Sequence, residues 1–233
     1  MSVDSLAHFM DIAEILKNFL NAKQVIITWF SVLTRGADAF ELIELETSST
    51  LFYALTFMLY MALVDVLLHI PLAAKSGTKA GLTFESVLLL ETYIEYLATG
   101  LILYGSMKLF GGKGGLQPCI AAYCLLTAYL PVVSVLMTPM RTLIFPVLTQ
   151  GTDVKQIVES ARGQMDQLSA WASFGFLLSF LLTTVVFVVF LTAVFRTFRK
   201  LHKLNRARAG VGLIVGLVCS AVVLVFIVEP LFS

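Results

Sequence analysis

The run from Phe174 to Phe195 contains no charged residue and is dominated by Phe, Leu and Val. A stretch of that length and polarity matches the hydrocarbon slab of a bilayer, which a helix crosses with about twenty apolar residues. No water is available in the slab to satisfy backbone N–H and C=O groups, so a single spanning segment of this kind must be helical. Four more apolar runs follow the same logic: Leu51–Ile70, Phe84–Met107, Leu116–Met140 and Val211–Val228. With 58% hydrophobic and 13% charged residues, the chain has about half the charge of an ordinary soluble domain. The sequence therefore predicts an all-α integral membrane protein: a five-transmembrane-helix bundle with amphipathic interfacial helices.

Residues 1–47 read as an amino-terminal amphipathic region and residues 48–233 as the membrane domain. In the first, Phe9, Met10, Ala13, Leu16, Phe19 and Leu20 recur at helical spacing, the pattern of a helix lying in the membrane interface. Val25–Leu33 is too short to span, and Ala39–Glu46 reads as a short helix leading into the first span. The amino terminus has no basic n-region, so no secretory signal peptide is expected. Residues Thr149–Leu168 form a second amphipathic stretch between the third and fourth spans. Pro131 predicts a kink in the third span, because proline removes a backbone donor. Cys119, Cys124 and Cys219 have no metal-site spacing and are expected to be small packing residues.

The stretch Leu103–Pro131 joins an apolar helix end, a glycine-rich basic turn and a second apolar run. Gly111, Gly112 and Gly114 allow the chain to reverse tightly around Lys113. GGKGG lacks the GK[ST] ending and the preceding strand of a phosphate loop, so it reads as a turn. Phe110, Gly111, Gly112, Lys113 and Gly114, followed by an apolar run ending in Tyr129, Leu130 and Pro131, resemble the Yip (Ypt-interacting protein) membrane domain in its prokaryotic form. The basic stretch Leu201–Arg208, LHKLNRAR, supports the likeness, which covers Arg35 to Phe226. The resemblance implies five spans with the amino terminus in the cytosol. Eukaryotic relatives work in vesicle traffic between endoplasmic reticulum and Golgi and bind Rab GTPases. This chain lacks their long cytosolic amino-terminal region, so the resemblance points to a prokaryotic inner-membrane member and implies a fold more directly than an activity.

Charge distribution gives the same orientation. Lys17, Lys23, Arg35, Lys108, Lys113 and the six Lys and Arg of residues 196–208 fall on one side, eleven in all, against Lys75, Lys79, Arg141, Lys155 and Arg162 on the other. The positive-inside bias places the amino terminus in the cytoplasm and the carboxyl terminus in the periplasm. Arg196, Arg199, Lys200, Lys203, Arg206 and Arg208 form a basic patch that serves either as a topology anchor or as a docking surface for anionic lipid or protein. Its lack of interleaved aromatics argues against nucleic acid. Gly212, Gly216 and Ser220 make a small-residue ridge on the last span, for packing within the chain or between two copies of it.

One constellation carries candidate chemistry. Asp65 and His69 are four apart on the first span, and Glu91 and Glu95 four apart on the second, so each pair projects from one helical face. Ionisable groups inside a span are costly and face protein or a water-filled cavity. The set suits a proton relay or a divalent metal such as zinc or manganese, or else a structural network with Arg141 as counter-charge. No other cofactor is expected. HExxH, GxSxG and Walker patterns are missing, so no enzyme is expected. Two functional classes remain: a non-enzymatic membrane organiser, adaptor or scaffold, and a small proton- or metal-linked transporter or channel.

Overall fold

Backbone hydrogen bonding inside the slab dictates the architecture seen in the computed structural model, which describes residues 22–42, 47–75, 82–139 and 169–232. Five helices are long and apolar enough to cross a membrane: Ser48–Leu68, Ser86–Leu109, Leu116–Pro139, Ser173–His202 and Arg206–Val228. They form an all-α bundle. The expected amphipathic helices at residues 6–20 and 149–168, and Arg141, lie outside the described residues.

The fourth span departs from expectation at its end. Arg196, Arg199 and Lys200 do not sit in a loop but in the last turns of one helix, Ala170–His202. Arg196 and Lys200 are exposed there and Arg199 is half-buried over the Phe195 ring, and cations complement the negative end of the helix dipole. The turn to the next helix is short. Lys203 N–H donates to Lys200 O at 3.2 Å and Leu204 N–H to Arg199 O at 3.1 Å, the bonding pattern of a Schellman cap. Lys203 takes the left-handed position of that cap, at φ 53°, where a side chain costs about 1–2 kcal/mol relative to glycine. Asn205 then caps the last span, accepting from Arg208 N–H at 2.9 Å.

The third span is the hub. Within its apolar window 72% of residues are buried, against 22–33% in the other four spans. Cys119 through Tyr129 are all buried. Ahead of Pro131 the helix tightens into a 3₁₀ turn, Thr127–Tyr129, and Leu130 N–H donates to Thr127 O. That carbonyl would otherwise await residue 131, which has no N–H to give. This 3₁₀ turn is the docking point for an amino-terminal helix, α1, spanning Ala22–Arg35. Trp29 Nε1 donates to Ala128 O at 2.8 Å. In return Tyr129 Oη donates to Val32 O at 3.0 Å.

The described part of the amino-terminal region is thus tied to the hub span. Ala128 is twelve residues, about 18 Å, along the span from Leu116, so α1 rests against the body of the bundle rather than at its end. Val25, Val32 and Ala39 belong to the same core as the spans. The outward face of α1 carries Ile26, Ile27 and Phe30, each more than half exposed, as suits contact with acyl chains.

The small-residue ridge packs within the chain. A Cβ on Gly216 would meet Ser106 Oγ at 2.6 Å and Leu103 Cδ2 at 2.8 Å, and one on Gly212 would meet Met107 Sδ at 3.0 Å. The fifth span thus lies directly on the second, and Ser220 is buried with its hydroxyl donating to Gly216 O. Cys219, expected to pack, is exposed on the same helix, about 100° around it from the buried Ser220. Gly216→Ile should therefore cost about 1–3 kcal/mol of stability through overpacking and lower the unfolding temperature in detergent, with the oligomeric state unchanged on size-exclusion chromatography. An unaltered unfolding temperature would mean that the second and fifth spans do not touch there.

Candidate functional site

The second span ends by the same device as the fourth. Gly111 N–H donates to Lys108 O and Gly112 N–H to Met107 O, both at 3.0 Å, and Gly111 stands at φ 87°. Of the turn's glycines only this one uses positive φ; Gly112 and Gly114 are required for space. A Cβ on Gly112 would overlap His202 Nδ1 and come within 2.7 Å of Met107 O. One on Gly114 would stand 2.9 Å from Leu201 O and 3.1 Å from His202 Cγ. Lys113 N–H then donates to His202 O at 3.0 Å, satisfying a carbonyl that the end of the fourth helix leaves open.

His202 is the plug beneath this turn. It is fully buried, with the Phe198 ring stacked at 6.1 Å and Tyr104 tilted at 5.6 Å between centroids. Cys119 Sγ lies 3.2 Å from Nε2, so this thiol does more than the packing expected of it. Nδ1, facing Gly112, has no hydrogen-bond partner among the described residues. The glycine turn and the LHKLNRAR stretch, far apart in sequence, are thereby interlocked.

Around the plug stand the exposed side chains of Lys108, Lys113, Lys203, Arg206 and Arg208. Lys108 Nζ is 5.7 Å from the centre of the Tyr104 ring, and Arg208 Nη1 comes within 3.8 Å of where a Cβ on Gly111 would be. Lys200 and Arg196 are also exposed, higher on the fourth span, while the half-buried Arg199 lies 6.0 Å from the Phe195 ring centre.

The intramembrane constellation is only partly assembled. Asp65 is buried, at 8% exposure, and accepts from Tyr96 Oη at 2.9 Å. Glu91 and Glu95 are half-buried on the second span. His69 is helical, but its side chain, like Arg141, lies outside the described ones. No group of three or more His, Cys, Asp or Glu that could hold a metal occurs among the described residues. What the geometry does show is a buried carboxylate–phenol bond linking the first two spans. Sequence reasoning missed Tyr96, which hydropathy treats as an apolar filler, and His202, which is hidden among the six Lys and Arg of a basic run.

Comparisons of the chain with protein-family models, with curated proteins and with solved structures give no match.

The interlock makes a sharp prediction about two glycines. Gly112→Ala forces the His202 ring or the Met107 carbonyl to move and should cost about 1–3 kcal/mol. Gly105→Ala, where a Cβ meets nothing within 4 Å, should instead stabilise its helix by about 0.5–1 kcal/mol. Unfolding temperatures of the two variants in detergent should fall on opposite sides of the wild type, and equal values would refute the packing described.

Proposed function

We propose that this is a non-enzymatic membrane organiser, an adaptor or scaffold of the Yip-like class, in a bacterial inner membrane with its amino terminus cytoplasmic. Its partners are other membrane proteins or further copies of itself. The observation that carries this reading is where the polar groups are used. Tyr96 with Asp65, Trp29 with Ala128, Tyr129 with Val32 and Cys119 with His202 each fasten one helix to another, whereas the exposed cations of residues 108–113 and 203–208 gather at one end of the bundle. The interlock of the glycine turn with Leu201 and His202 supports the Yip-like part, since both stretches that carry the resemblance build one structure.

The transporter reading draws on one specific feature, the buried Asp65. Under the organiser reading its bond to Tyr96 is a fastener. Tyr96→Phe and Asp65→Asn should then each lower stability by about 1–3 kcal/mol, and proteoliposomes of wild type and Asp65→Asn should show the same zinc, manganese and proton flux as empty liposomes. Flux in the wild type that Asp65→Asn abolishes would replace the organiser reading with the transporter.

Orientation is tested separately. Reporter fusions at Gly77, Lys113, Gln156, Lys203 and Ser233 should alternate sides, with Lys113 and Lys203 on the cytoplasmic one. Two consecutive sites reporting the same side would refute the topology.

A further inference from the structure

Two chain reversals meet at one seam. Residues 110–115 reverse the chain between the second and third spans, and residues 203–205 between the fourth and fifth. Lys113 N–H donates to His202 O, so Lys113 and Lys203 flank a single hydrogen bond. Arg208 reaches over Gly111 from the other side of the seam, and Lys108 stands on the helix turn just below. Neither residues 103–116 nor residues 196–216 contain a single Asp or Glu.

The two reversals also provide an internal comparison. Both helices end in the same cap geometry, and the second span fills the left-handed position with Gly111, the residue that takes it without strain. The fourth fills it with Lys203. Glycine would take that position at less cost, and the lysine instead places an exposed side chain there; among the described residues Lys203 is the one non-glycine at positive φ, and strain of this kind clusters at functional sites.

We propose that this seam is a binding site for the phosphate headgroups of anionic membrane lipids, held by Lys108, Lys113, Lys203, Arg206 and Arg208. The position favours a lipid over a free ion: every one of these residues lies within two helical turns of a span end, where headgroups stand, and two adjoining segments that carry cations and no carboxylate draw anions from the adjoining leaflet. The closed turn sets the spacing. With His202 filling the space beneath Gly112, the cations are carried on a packed base rather than on a mobile loop, as geometric selection of a headgroup needs. This site deepens the organiser reading and rests on it.

The test uses the full chain in neutral detergent. Thermal unfolding is followed with added phosphatidylglycerol, phosphatidylcholine or inorganic phosphate, and lipid retention is measured by native mass spectrometry. Phosphatidylglycerol should raise the unfolding temperature where the other two do not. Lys113→Gln with Arg208→Gln should lose most of that rise, at about fivefold in affinity per cation removed. Lys203→Gly should be more stable than the wild type without lipid, yet bind phosphatidylglycerol about fivefold more weakly. Equal lipid shifts in all variants, the same shift from inorganic phosphate alone, or a Lys203→Gly chain that is less stable and binds undiminished would each overturn the site. Partner capture from native membranes reads the organiser role separately: partners absent while lipid binding is intact would remove that role alone.

Discussion

A helix in lipid can break only where something else takes over the backbone groups it releases, and the described structure is arranged around three such breaks. At the glycine turn the second helix closes its own carbonyls and then lends Lys113 N–H to His202 O. At residues 203–205 the cap of the fourth helix and the Asn205 side chain divide the task. At Pro131 the third span winds into a 3₁₀ turn, and Ala128 O takes the Trp29 indole. At Pro131, within a span, an unsatisfied group would cost several kcal/mol in hydrocarbon; at the two turns, which stand at span ends, each bond contributes about 0.5–1.5 kcal/mol. The breaks therefore decide which elements must be neighbours.

Packing follows from them. Once Lys113 is bonded to His202, the imidazole has to lie under Gly112, and only residues without a Cβ fit at positions 112 and 114. Once Trp29 and Tyr129 exchange bonds with the opposite helix, α1 is held against the hub span and Val25 and Val32 enter the common core. In lipid the attraction between spans is dispersion between closely fitted surfaces, not exclusion of water. The fit of Gly212 and Gly216 against Met107 and Leu103 supplies that contact along the second and fifth spans.

Which of this could be read from the residues depends on range. The number and order of the spans were legible because membrane insertion depends on local hydropathy, and Phe174–Phe195 says the same thing in any context. Pro131 was legible as a break for an equally local reason. The end of the fourth span was misplaced, since Arg196 and Arg199 look like loop residues unless their stems are allowed to lie along a helix. Pairings across distance were not legible. Tyr96 meets Asp65 from 31 residues away and Cys119 meets His202 from 83, and no periodicity within one helix names its partner on another. The ridge at Gly212 and Gly216 shows the same limit: spacing identified a close-approach surface but left open what approaches it.

The charged residues of the first two spans and those of the two turns stand apart. Asp65, Glu91 and Glu95 lie in the halves of their spans away from the glycine turn, whereas the exposed cations of residues 108–113 and 203–208 gather at it. Helix dipoles do not balance that end. The second and fourth spans finish there and the first, third and fifth begin there, so two partial negative charges of about half a unit each meet three positive ones of the same size. Lys203 adds a full charge at a backbone position that glycine would occupy with less strain. A surface that concentrates cations and carries no carboxylate on its own segments, residues 103–116 and 196–216, has a positive field that an external anion can neutralise. Within a bilayer, the anions standing at that depth are lipid phosphates.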